Sequence, residues 1–346
     1  MENLDFSGYM KSLRLVFTKP FSVEFEEFEV GEPGPGQVLI ESELTLISTG
    51  TELTALTGEF PKPSAWSSYI KYPFIPGYTC IGRVMKTGSS VVDFKIGDRV
   101  AATTPHAKHA LARAEDLVKV PDGVKLEHAC LHTIAAGVMN SIRLAKVSLG
   151  EAVVVVGLGL LGQMAVLFSR LSGGFPVIAV DVADKRLELA RFSGATSSVK
   201  YTGYESLEEE VKRLTGGRMA DVVFEVTGNP NVIPWAIKLA KKPLGRFIVL
   251  SSPRGPTTLD FHDEVNSPSR IIIGTHFGSQ PVYETPYNPW TRKRNTELFL
   301  SMLKANMINL NHFITHTYQW RKAPEAYKML LENRTQALAV LLDFRE

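Results

Sequence analysis

Cysteine is almost absent from this chain: its 346 residues include only Cys80 and Cys130. Two thiols build neither a disulfide framework nor a four-cysteine structural zinc site, and both are expected to pack as small buried apolar residues. An excess of either charge is absent too, since 38 basic residues face 36 acidic ones, a formal charge of +2. So balanced a chain offers no long-range field for nucleic acid or an anionic membrane, and small molecules are the expected partners. No apolar run reaches the roughly 18 residues of a membrane span. The start of the chain carries Glu2 and Asp5 where a leader would be apolar. Together these absences point to a cytoplasmic protein. There is no internal repeat or low-complexity tract, and the length predicts two domains, each with its own core.

The chain does contain Val153-Val154-Val155-Val156 running directly into Gly157-Leu158-Gly159-Leu160-Leu161-Gly162. A β-branched strand feeding G-x-G-x-x-G, followed by helix-forming residues from Gln163 to Leu171, is the fingerprint of a dinucleotide site. Gly157 permits the tight turn, Gly159 admits the pyrophosphate, and Gly162 lets the helix pack closely on the strand with its free N–H groups aimed at phosphate. A second strand, from Phe175 to Val180, ends in Asp181, 19 residues beyond Gly162. A carboxylate there accepts ribose hydroxyls and repels a 2′-phosphate, which favours NAD over NADP. Leu158, Leu160 and Leu161 in the turn, with Arg186, Thr227 and Ser251 beyond it, complete the expected cofactor contacts.

Before this motif, roughly 120 residues read as short strands broken by turn signals such as Gly31-Glu32-Pro33-Gly34-Pro35-Gly36 and Pro76-Gly77. From Leu126 to Lys146 the pattern is helical. Strands and helices then alternate, with strands expected at 152–156, 177–180, 221–225, 245–250 and 270–274. Such alternation defines an α/β fold with a doubly wound parallel sheet. Helices at 295–305 and 324–332 and a strand at 337–344 close the chain. Glu208-Glu209-Glu210 with Lys212 and Arg213 reads as a solvated helix face. Arg292-Lys293-Arg294, at a helix start where cations are disfavoured, is a candidate contact for an anionic substrate.

The β-rich start, the mid-chain fingerprint and the returning C-terminal segment resemble the medium-chain dehydrogenase/reductase superfamily over essentially the whole length. The residues that carry the resemblance are Pro35-Gly36-Gln37-Val38-Leu39-Ile40, Ser48-Thr49-Gly50-Thr51-Glu52, Pro76-Gly77-Tyr78, Gly97-Asp98-Arg99-Val100 and Glu225-Val226-Thr227-Gly228. The S-x-G-T-E motif is most similar to the polyol, threonine and secondary-alcohol branch. The resemblance implies a GroES-like β-rich substrate domain at 1–125 with 285–346, a Rossmann domain at 126–284, and a homodimer or homotetramer. It also implies a zinc held by the cysteine of C-G-T-D and by the histidine and glutamate of G-H-E, but those positions here read Thr49-Gly50-Thr51-Glu52 and Gly77-Tyr78-Thr79. A fourth pocket position aligns with His132. One imidazole among Thr49, Tyr78, Thr79 and His132 falls short of the three ligands a catalytic zinc needs. The four-cysteine lobe is missing as well, and no zinc is expected.

Zinc lowers the pKa of bound water from about 15.7 to about 7. A positioned acid or base supplies only about 10²–10⁴-fold. The expected replacement is Tyr78 on the substrate oxygen, His132 taking or giving the proton and Thr51 relaying it, with Thr49 beside them. The corresponding activity is hydride exchange between NAD and a secondary alcohol or ketone on a polyol, sugar or cyclitol-like substrate. Two alternatives stand: a zinc-free quinone or enoyl reductase, in which an enolate oxygen needs only hydrogen bonds, and a non-catalytic nucleotide-binding protein. The spacings of His128 with His132 and of His106 with His109 are common by chance, and surface or capping roles are expected for them. Trp66, Tyr69, Tyr72 and Phe74 are candidate walls for the substrate, and the stretch holding His276, Gln280, Tyr283, Tyr287 and Trp290 is a candidate cover for the nicotinamide or an oligomer contact.

Overall fold

Four consecutive buried valines, Val153–Val156, form a central strand of a parallel sheet. Burying each contributes about 1.5–3 kcal/mol, which is why an unbroken apolar run is stable only with helices on both faces. The computed structural model describes residues 9–345. The chain divides into two compact units, one taking in the chain up to Thr133 and again from Lys293, the other running from Ile134 to Arg292. Both divisions fall eight residues beyond those expected. The reason for the first is local: Arg345 Nη2 reaches Glu127 Oε1 at 3.0 Å and Lys125 Nζ reaches Asn311 Oδ1 at 3.2 Å, so the helix Leu126–Ala129 stays with the β-rich unit.

In the unit 134–292 the six strands lie in the order Ser197–Lys200, Val177–Asp181, Val153–Val156, Val222–Glu225, Arg246–Val249, Ile271–Gly274, all parallel. The sequence outward from Val153–Val156 reverses direction between that strand and Val222–Glu225. This is the switch point at whose carboxyl end an open α/β sheet binds ligand. The edge strand Ser197–Lys200 was not foreseen, because its serines carry no apolar signal.

The first unit is built on a seven-stranded sheet ordered Ile314–Gln319, Ala339–Asp343, Gln37–Ile47, Cys80–Thr87, Arg99–Ala102, Val118–Lys119, with His109–Arg113 also pairing Gln37–Ile47. A ribbon of Tyr9–Val16 and Glu24–Gly31 is antiparallel. Ala339–Asp343 returns from the far end of the chain to pair with Gln37–Ile47, and the helix Ala323–Asn333 packs against the helix Thr51–Thr57. Phe17, Leu53, Leu56, Trp320 and Tyr327 belong to the core between them. Cys80 and Cys130 are free and buried, the apolar role expected of them. Among the described residues no helix is long and apolar enough to cross a membrane.

Candidate active site

At the switch point the glycine turn has the geometry its sequence requires. Gly157 has φ +94°, and a Cβ there would stand 2.8 Å from Thr227 Cγ2. A Cβ on Gly162 would stand 1.9 Å from the Gly157 carbonyl oxygen, so the helix Leu160–Leu171 packs on the turn only with hydrogen at that position. Around Gly159 nothing lies within 4 Å of a Cβ position. That open cradle at a helix N-terminus fits the pyrophosphate of a dinucleotide. Gln163, fully buried, braces it by donating to the carbonyls of Leu158 at 3.3 Å and Arg186 at 2.8 Å while accepting from Ser193 Oγ at 2.7 Å.

Asp181 ends its strand beside the turn, accepting the Leu158 amide at 2.6 Å and the Ala183 amide at 2.9 Å. Arg186 Nη1 lies 3.7 Å from the same carboxylate. Thr227 and Ser251 are joined by Glu225, quoted from the sequence only as part of a motif and given no role there. Glu225, fully buried at the end of its strand, accepts the Thr227 amide at 2.7 Å and the hydroxyls of Thr227 and Ser251. The expected cofactor residues Gly157, Leu158, Gly159, Asp181 and Arg186 thus form one neighbourhood, and Thr227 and Ser251 a second that meets Gly157 through Thr227.

In the first unit, the Tyr78 hydroxyl donates to Ser48 Oγ at 2.5 Å, and Thr51 also hydrogen-bonds it. Burial pushes the Tyr78 phenol up to about 12, and the bonds to Ser48 and Thr51 only partly offset it. His132 is joined to the Tyr78 backbone through Thr133, whose hydroxyl lies 3.5 Å from the Tyr78 carbonyl oxygen. Its ring packs by the backbone of Cys80 and Ala102, Nδ1 sits 3.3 Å from Thr133 Oγ1, and Nε2 is buried with no hydrogen-bond partner. Burial drives its pKa down to about 4. The hydroxyls beside the Tyr78 phenol are those of Ser48 and Thr51, while Thr49 is half-buried at the same turn.

The surface role expected for His106 and His109 is corrected. Both are buried: His109 Nδ1 lies 3.1 Å from Ser12 Oγ, and His106 lies between Thr45 and Glu52. Of the aromatic wall, Tyr72 donates to the Ala55 carbonyl and Phe74 stacks near Phe17, so both serve packing. Tyr69 is 56% exposed and meets Phe74 edge-on, and burial of its hydroxyl side with the nearby Glu52 raises its pKa. Arg292 lies over the Phe277 ring at 4.3 Å and Lys293 donates to the Glu115 carbonyl at 3.1 Å. Ser48 and Glu52 are the first and last residues of the quoted S-x-G-T-E motif, four residues apart at a helix start. That spacing was the available signal for the bond between the Ser48 amide and Glu52.

A glycine turn at the switch point of a doubly wound sheet, in a chain that opens and closes with a β-rich unit, is the build of a nucleotide-dependent oxidoreductase. Residues 34–146 match the alcohol dehydrogenase GroES-like domain family and residues 161–291 the zinc-binding dehydrogenase family. The chain belongs to the medium-chain, zinc-type dehydrogenase superfamily and is an NAD(P)-dependent dehydrogenase. It is 27% identical to an L-threonine 3-dehydrogenase of Pyrococcus horikoshii, with 96% of this chain and 99% of that protein covered. It is also 27% identical to a D-guloside 3-dehydrogenase of Escherichia coli K12, covering 80% of this chain and 79% of that one. Among solved structures, an alcohol dehydrogenase of Escherichia coli CFT073 complexed with NADH has the same fold, with a TM-score of 0.80 at 19% identity over 98% of this chain and 100% of that one.

Proposed function

We propose that the chain interconverts a secondary alcohol and a ketone on a polyol, sugar or cyclitol-like framework, with NAD as the preferred dinucleotide and without a catalytic zinc. The observation that carries this reading is the Tyr78 hydroxyl bonded to Ser48 Oγ at 2.5 Å and to Thr51 where the superfamily places a ligating histidine. The residues at the ligand positions do not fit the metal. Thr49, Tyr78 and Thr79 are hydroxyls, the phenol of Tyr78 keeps its proton up to about 12, and His132 is the lone imidazole. The likeness to proteins named L-threonine 3-dehydrogenase and D-guloside 3-dehydrogenase supports the substrate class.

Bound NAD supplies the hydride acceptor for the alcohol or, reduced, the donor for the ketone. Gly157, Gly159 and Gly162 would hold its pyrophosphate, and Asp181 its adenosine ribose. Tyr78 holds the proton that leaves or reaches the substrate oxygen, and Ser48 and Thr51 orient that phenol. Because the phenol is neutral at ordinary pH, it is a ready donor to a developing alkoxide and a weak base. It therefore serves ketone reduction better than alcohol oxidation near neutrality. The same neutral donor suits an enolate oxygen, which gives the enoyl-reductase reading its own support.

A homodimer is proposed as well. The edge strand Ile271–Gly274 has a single neighbour in the sheet, and Ile271 and Ile272 are 41% and 40% exposed.

The test is metal analysis of the purified protein, then NAD reduction with polyols, amino alcohols and sugars beside NADH and NADPH oxidation with ketones and conjugated enones. Turnover of the alcohol and ketone panel, faster with the unphosphorylated dinucleotide and with no stoichiometric zinc, is the expected result. Zinc at one per chain sinks the metal-free reading. Turnover of enones alone puts the enoyl reductase in its place.

A further inference from the structure

The residue that holds the Tyr78 hydroxyl is itself held by a buried network reaching the far end of the chain. Glu52 Oε1 accepts the Ser48 amide at 2.9 Å. Its other oxygen accepts the phenol proton of Tyr327 and lies 3.0 Å from His106 Nε2. His106 Nδ1 meets Thr45 Oγ1 at 2.7 Å. Water does not reach these groups: Glu52 and Tyr327 are 1% exposed and His106 is 0%.

Taking a carboxylate this far from water is unfavourable unless both oxygens are paired, and a well-packed apolar cluster of the same volume is often as stable. A fully bonded polar network adds fixed direction, which apolar packing lacks. Here it ties together the strand Gln37–Ile47, the helix Thr51–Thr57 and, across 275 residues of sequence, the helix Ala323–Asn333. All three are joined through Glu52, which holds the amide of Ser48, the residue whose side chain receives the Tyr78 proton bond.

We infer that Glu52, His106 and Tyr327 are a positioning unit for the proton-transferring hydroxyls: Glu52 holds the Ser48 backbone, and Ser48 Oγ thereby sets the direction of the Tyr78 hydroxyl. The inference rests on the reading of Tyr78 as the proton-transferring group. Tyr327→Phe is the cleanest variant, because the ring stays in place, edge-on to Phe17 at 5.2 Å, while Glu52 loses one donor. Glu52→Gln is its partner, with an amide in place of one accepting oxygen.

Both variants are compared with wild type and Tyr78→Phe as full-length protein. The measurements are NADH affinity, melting temperature, kcat and KM on whichever alcohol or ketone wild type turns over, and amide exchange of the segment around Ser48. In Tyr327→Phe and Glu52→Gln, NADH affinity is expected to hold while kcat falls about tenfold with KM nearly constant, the signature of an interaction that matters in the transition state. Exchange at the Ser48 amide is expected to accelerate in both. Unchanged kcat with a lowered melting temperature overturns the inference and leaves the network a purely structural one. Unchanged exchange at Ser48 in Tyr327→Phe also overturns it, and that readout needs no substrate, so it decides the matter even if wild type turns over none of the panel. Full activity in Tyr78→Phe instead removes the reading on which the inference rests.

Discussion

Tyr78 and His132 were expected to share one proton, but their surroundings push them apart. Burial raises the phenol to about 12 and lowers the imidazole to about 4. Alcohol oxidation that uses Tyr78 as its base should therefore climb by about tenfold per pH unit through the alkaline range, since the phenolate fraction does. Stopped-flow rates against pH check this, and Tyr78→Phe should lose about 10²–10⁴-fold in kcat together with the alkaline rise. A plateau near pH 7 would point to another base. For His132 the prediction concerns stability. Its folded pKa lies below the unfolded value of about 6.5, so its contribution is complete above that pH and is lost as the pH falls towards 4. About 2.5 units of separation is on the order of 3 kcal/mol. Denaturant unfolding at pH 7.5 and pH 4.5 should show a smaller loss in His132→Gln than in wild type.

At the scale of elements, the glycine turn separates two effects that sequence alone assigns together. Gly162→Ala would drive a methyl group into the Gly157 carbonyl, 1.9 Å away, and should unfold or strongly destabilise the turn along with nucleotide binding. Gly159→Ala meets only open space, so the melting temperature should hold. Its methyl group would occupy room left for the pyrophosphate, and NADH affinity should fall by about tenfold, worth about 1.4 kcal/mol. Fluorescence titration and thermal unfolding of both variants check the contrast, and equal melting losses would refute it. The strands and the helix of this region were legible because an apolar run, a glycine pattern and a carboxylate at fixed spacing are local signals. Glu225 and Gln163 were not, because a buried polar residue is recognised only by the partners that fold around it.

At the scale of the whole molecule, the returning C-terminal segment and the exposed sheet edge carry the remaining consequences. Ile272→Lys, on the edge strand Ile271–Gly274, places charge on a surface proposed to pair with a second copy. It should shift sedimentation towards the monomer without loss of fold. A wild type that is monomeric at micromolar concentration would remove the dimer proposal. The two units were foreseen in kind, but their divisions at Thr133 and Arg292 depended on contacts such as Arg345 with Glu127, which pair positions far apart in the chain.

By itself, the sequence determined the parallel sheet and the glycine turn. Each of these is written in residue type and short spacing: β-branched runs that must be buried, and glycines where a Cβ would collide. Only the tertiary structure decided which groups share a hydrogen bond. It brought Ser48 to Tyr78, set His132 against Cys80 and Ala102, and carried Tyr327 to Glu52. Hydrogen bonds act over about 3 Å, and long-range pairs are chosen by how the two ends of the chain pack, which no window of the sequence contains.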